Sequence, residues 1–108
     1  MALRRFLVGG NWKSNGSIAF SKSFPRDVLN NLKFDPSKVE VVVAPTALHV
    51  GTVAGGIEND VQVSTQDISL TGNGAFTGQH SAEMIKEAGI NWTLTGHSER
   101  RTLYGETD

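Results

Sequence analysis

Four short runs of β-branched and aromatic residues alternate along this chain with segments of helical spacing. That alternation constrains the fold more than any other feature. The runs are Phe6 to Gly10, Val39 to Ala44, Val61 to Gln66 and Trp92 to Thr95, bounded by Gly, Pro or Asn. Strands separated by helices imply an α/β fold with a parallel sheet and right-handed crossovers. Between the first two runs, Phe20, Phe24, Val28 and Leu32 recur every fourth residue with Leu29 beside them, predicting one apolar helix face. Pro25 predicts a kink or restart within it. A second helix is expected over Ala47 to Ala54, stopping at Gly55-Gly56. A third is expected over Ser81 to Ala88, with Ser81 as cap, Glu83 in the positive first turn and Gly89 closing it. The long irregular piece, Asp67 to Gln79, is rich in Gly, Thr and Ser, and a loop of that length is more often functional than idle.

The last stretch, Ser98-Glu99-Arg100-Arg101, reads as a capped helical turn closing near Gly105, and Thr107 and Asp108 read as the cap of a further helix. Four parallel strands also leave edges that need pairing. Residues 1–108 are therefore expected to form a single, incomplete domain, a piece of something larger.

Composition narrows the function classes. Ten basic residues against eleven acidic ones, a net charge of −1, argue against a nucleic-acid footprint or an anionic-membrane patch. With no cysteine, disulfide and thiol chemistry are excluded. The apolar run after Arg4-Arg5 is shorter than a signal-peptide core of ~7–15 residues. No stretch approaches the ~20 apolar residues of a membrane span. A cytoplasmic protein is the expectation. The sequons at Asn15 and Asn91 read as chance matches.

Parallel sheets place their sites beyond the C-terminal strand ends. Two of those ends carry polar clusters: Gly9 to Gly16, holding Asn11 and Lys13, and Gly96 to Arg101, holding His97. An amide, an ammonium and an imidazole suit an anionic, oxygen-rich substrate, with Lys13 as a point charge for a phosphate or an oxyanion. From spacing alone, a solvated lysine and a backbone-bonded structural histidine are about as plausible. Lys13-Ser14 after a glycine pair imitates a phosphate-binding P-loop, but Trp12 stands where glycine must precede the lysine. Gly96 to Arg100 imitates a hydrolase nucleophile elbow around Ser98, but Arg100 stands where the cramped turn needs glycine. His49, His80 and His97 share no metal-ligand spacing, so no metal is expected, and His49 is expected to be structural.

Gly10-Asn11-Trp12-Lys13, Gly74-Ala75-Phe76-Thr77-Gly78 and Gly96-His97-Ser98-Glu99-Arg100-Arg101 resemble the first, third and fourth active-site loops of the triosephosphate isomerase family. Their order and spacing agree, and the resemblance covers essentially the whole chain. It implies the N-terminal half, four strands, of an eight-stranded βα barrel, which in complete form needs ~250 residues. It implies interconversion of dihydroxyacetone phosphate and glyceraldehyde 3-phosphate through an enediol, in glycolysis and gluconeogenesis, with no cofactor or metal. Asn11 then matches a substrate hydrogen-bonding residue and Lys13 the cation that steadies phosphate and enediolate. His97 matches the electrophile that polarises the carbonyl. Ser98 and Glu99 match supporting positions, Glu99 orienting Lys13. The family is a known case of a histidine kept neutral by a helix N-terminus. Here Ser98 to Arg101 supplies such a helix start, with a backbone N–H near Glu99 available to one ring nitrogen.

The resemblance further implies a homodimer, with Phe76, Thr77 and Gly78 reaching into a partner subunit. Gln79 departs from the family's usual glutamate, which commonly pairs across the interface with the arginine matching Arg100. The family's glutamate base, lid and later phosphate loops match nothing within residues 1–108, so this stretch alone is expected to be inactive. Two other readings stand beside this one: a non-catalytic half barrel that self-associates, and a hydrolase using Ser98.

Overall fold

The computed structural model describes residues 4–95 and 97–104, the side chain of Tyr104 excepted. Four strands form one sheet in the order of the chain: β1 (Phe6–Asn11), β2 (Val39–Ala44), β3 (Gln62–Thr65) and β4 (Trp92–Thr93). Every neighbouring pair is parallel. The helices α1 (Ile18–Asp27), α2 (Val50–Gly56) and α3 (Ala82–Glu87) alternate with them, and α4 (Ser98–Tyr104) follows β4. This is the α/β arrangement of successive units in a βα barrel.

The strands appear where the β-branched and aromatic runs predict them, although β3 and β4 are shorter than expected. Parallel strands covered on both faces need apolar residues in unbroken succession. Consistent with this, Val42, Val43 and Ala44 are all buried. Val43 and Val63 lie opposite one another and pack with Leu29, Val53 and Val61 into the core. Strand β1 pairs with β2 along its whole length and leaves its side chains exposed, Phe6 at 78%.

Helix α1 places its break and its buried face differently from expectation. It is capped by Ser17, whose side chain accepts from the Phe20 N–H, and it runs through Pro25 to break at Val28, followed by a 3-10 turn over Leu29–Asn31. Pro25 falls in the final turn, so its missing N–H removes a single helical bond. The buried stripe is Ser21, Pro25 and Leu29, one residue round from the Phe20, Phe24, Val28, Leu32 face. Close approach explains the shift: a Cβ on Gly56 would lie 3.2 Å from the Pro25 Cβ, so α1 and α2 meet through small side chains. Phe24 is partly buried against the core, and Phe20 is more exposed. Phe20 and Phe24 stack at 4.9 Å and both contact Trp12.

Helix α2 starts later than predicted, with His49 as its N-cap, and Gly55-Gly56 form its last turn instead of ending it before them. His49 Nδ1 meets Thr46 Oγ1 at 2.8 Å, a structural role as expected. Helix α3 keeps its predicted signals. Ser81 accepts from the Met84 N–H, Glu83 sits in the first turn, and Gly89 closes the end at φ +81°. The expected closure at Gly105 and cap at Thr107-Asp108 lie outside the described residues, as does Gly96. No helix among the described residues is long and apolar enough to cross a membrane.

Candidate active site

Because the strands are parallel and in register, their C-terminal ends share one rim. Asn11 stands opposite Ala44, and Thr65 opposite Thr93. The ladders continue briefly past the strands, with the Trp12 N–H donating to Ala44 O and the Leu94 N–H to Thr65 O. Above this rim lies an open cleft of about 680 Å³. Asn11, Lys13, His97 and Glu99, distant in sequence, all line it.

Lys13 reaches its place through an unusual backbone. Its φ is +55°, in the left-handed region, where non-glycine residues are uncommon. Two contacts hold it there. The Lys13 N–H donates to Asn11 Oδ1 at 2.8 Å, and Gln66 Nε2 donates to Lys13 O at 2.7 Å. The same Gln66 nitrogen donates to Ala44 O at 2.8 Å, so one amide ties the first loop to the rim of β2. The turn points the ammonium at Glu99, with Nζ 2.8 Å from Oε1. That hydrogen bond holds the Glu99 carboxyl below its ordinary value, opposed by partial desolvation and assisted by the charge of Lys13.

His97 stands one residue before α4. Its Nδ1 accepts from the Glu99 backbone N–H at 3.1 Å. A backbone N–H can only donate, so Nδ1 carries the lone pair and Nε2 is left as the donor of the neutral ring. Asn11 Oδ1 is occupied by Lys13, which leaves its NH₂ for a ligand. The cleft therefore offers an amide donor, a cation and an imidazole N–H, a set that suits a phosphorylated, carbonyl-bearing molecule.

Ser98 is exposed and lies outside the cleft lining, which weakens the hydrolase reading further. Gly78 lines the cleft, but Phe76 and Thr77 do not. The loop they occupy is pinched at its base by a bond from Ser69 N–H to His80 O. Phe76 folds back on its own loop: a Cβ at Gly74 would come within 2.9 Å of the ring, and the φ of +156° at that position favours glycine. Arg100 pairs with Asp67 of the same chain at 3.1 Å. Sequence reasoning passed over Gln66 and Asp67 as site residues. Their position, directly after the C-terminal end of a parallel strand, was the available signal.

The family model described as triosephosphate isomerase matches residues 6–108. The chain belongs to the triosephosphate isomerase family. It is 42% identical over 102 residues to a triosephosphate isomerase of Francisella philomiragia, covering 94% of this chain and 40% of that protein. It is 43% identical over 106 residues to that of Neurospora crassa, covering 97% and 42%. A chloroplastic triosephosphate isomerase of Fragaria ananassa is 41% identical over 104 residues, covering 96% and 32%. The chain thus spans about two fifths or less of the length of these triosephosphate isomerases.

Proposed function

We propose that this chain is the substrate-clamping part of a triosephosphate isomerase, acting on dihydroxyacetone phosphate and glyceraldehyde 3-phosphate when the rest of the barrel is present. The convergence of Asn11, Lys13 and His97 on one cleft at the strand ends carries the reading. In it, Lys13 steadies phosphate and enediolate charge, Asn11 donates to substrate, and His97 Nε2–H polarises the carbonyl. Ser98 and Glu99 support them, Glu99 by orienting Lys13. The enzyme is proposed to work in the cytoplasm, as a homodimer whose contact includes Phe76, Thr77 and Gly78.

Residues 1–108 alone are proposed to be inactive. Moving a proton between adjacent carbons needs a base with a pKa near the working pH. The two carboxylates lining the cleft, Asp67 and Glu99, are both held in ion pairs, and Glu99 is shifted away from neutrality. Purified residues 1–108, freed of host isomerase, should show background conversion only, and a supplied C-terminal half should restore turnover. Robust turnover by residues 1–108 alone would mean the base lies within them.

A second reading, a self-associating half barrel without catalysis, draws on β1, where Phe6, Leu7 and Val8 are more than half exposed. Failure of the complemented halves to isomerise, with aggregation instead, would favour it.

A further inference from the structure

We propose that Gln66 is a positioning residue for Lys13, fixing the left-handed turn that aims the ammonium into the cleft. Its amide nitrogen carries two hydrogens, and both go to backbone carbonyls. One goes to Lys13 O at 2.7 Å and the other to Ala44 O at 2.8 Å. Ala44 O also accepts from the Trp12 N–H at 3.0 Å, so its two lone pairs are filled by the first loop and by Gln66. The loop that carries Lys13 is thereby docked on the C-terminal end of β2.

Each contact restrains a different part of the turn. Asn11 Oδ1 holds the Lys13 N–H, which sets the peptide plane before the Cα. Gln66 holds the Lys13 carbonyl, which sets the plane after it. The two planes together fix φ and ψ, and with them the Cα–Cβ direction from which the ammonium reaches Glu99. At φ +55° a residue with a Cβ is in an unfavourable conformation, so the turn stands only while its neighbours hold it. Asn11 is two residues away and moves with the loop. Gln66 is 53 residues away, directly after β3, so it ties the loop to the sheet. Without it the Lys13 carbonyl is free to rotate toward the ordinary right-handed region, carrying Nζ off its line. Gln66 also lines the cleft, but as a donor its amide is wholly engaged with backbone. Its effect on a substrate passes through Lys13.

The inference rests on the reading of Lys13 as the cation that steadies substrate charge, so its test has one readout inside the reaction and one outside it. In the complete enzyme, Gln66→Met keeps the length of the side chain and removes both donors. It should lower kcat/KM roughly tenfold, since small misplacements of a reacting group are costly. In a Lys13→Met background the same change should alter kcat/KM by less than about twofold, because its route of action is already gone. Outside the reaction, the Glu99 carboxyl is held low by its Lys13 hydrogen bond. Carboxyl carbon NMR should show its midpoint rising toward the ordinary glutamate range in Gln66→Met. Should that variant fail to fold, the same rise is expected in Gln66→Asn, which is one methylene shorter and cannot hold both carbonyls from the same place. If the parent enzyme fails to isomerise triose phosphates, the functional reading falls, while the Glu99 midpoint still decides the role of Gln66. An unmoved Glu99 midpoint would overturn the inference. So would a kcat/KM equal to the parent's, or a loss as large in the Lys13→Met background as in the parent.

Discussion

Replacing Lys13 by glycine should leave stability nearly intact while removing most of the activity. The backbone of Lys13 sits at φ +55°. That conformation costs a residue with a Cβ about 1–2 kcal/mol, which glycine avoids. Against this gain stands about 0.5–1 kcal/mol of extra chain entropy lost by glycine on folding. The Lys13–Glu99 pair is lost as well, but its side chains are 53% and 48% exposed and solvent screens them, so little stability goes with it. Relief of the backbone strain and the added chain entropy nearly cancel, and the melting temperature of the complete enzyme should move by no more than about 4 °C. Activity has no such compensation. A unit charge ~4 Å from a developing oxyanion, at an effective dielectric of ~20, is worth about 4 kcal/mol. Single donors to such oxyanions are worth about 2.7–4 kcal/mol by mutation. The value of kcat/KM should therefore fall about 10²- to 10³-fold. A coupled assay of triose phosphate isomerisation, run beside thermal melts on the same preparations, measures both. A kcat/KM within a few-fold of the parent would sink the assignment of Lys13. So would a fall in activity that tracks a large fall in melting temperature, since that would make Lys13 a structural residue.

The other expectations are independent of this one. The Glu99 carboxyl should titrate below the ordinary glutamate range, because the Lys13 hydrogen bond holds it ionised. The stabilising pair is thus complete above that range and lost as pH falls through the lowered pKa. Carboxyl carbon NMR should show the midpoint rising toward the ordinary glutamate range in Lys13→Met, and an unmoved midpoint would contradict the assignment. Gly56→Val should destabilise by about 1–3 kcal/mol in urea unfolding, since the added atoms meet buried Pro25; a neutral result would mean α1 and α2 do not approach as closely as described. Residues 1–108 in isolation should sediment as dimers or larger species, driven by the exposed side chains of β1. A compact monomer at high concentration would count against that.

The sheet was legible because its strands are short runs of β-branched and aromatic residues bounded by breakers, and the Ser81 cap because short polar side chains announce helix starts. The contact between α1 and α2 was not. Reading by size favoured Phe20, Phe24 and Val28, whereas the structure buries Ser21 and Pro25, residues small enough to let two helices close together. Lys13 and His97, which line one cleft, were legible as candidate site residues through their place after strands and their resemblance to known loops. Gln66 was passed over: its place after a strand was a signal, but an amide carries none of what it will bond. Its partners, Lys13 O and Ala44 O, lie 53 and 22 residues away. Asp67 was missed for the same reason: its charge gains meaning only when Arg100 arrives above β3.

The strand order, identical to the chain order, also sets a timetable for folding. Each new strand finds its neighbour already made, so the sheet can grow by closing one crossover after another as the chain emerges. The Lys13–Glu99 contact obeys a different schedule, since its partners are 86 residues apart. Closing a loop of that length costs more entropy than closing any single crossover, and it becomes favourable only once the intervening strands have shortened the path. The scaffold is therefore laid down first and the cleft charged last.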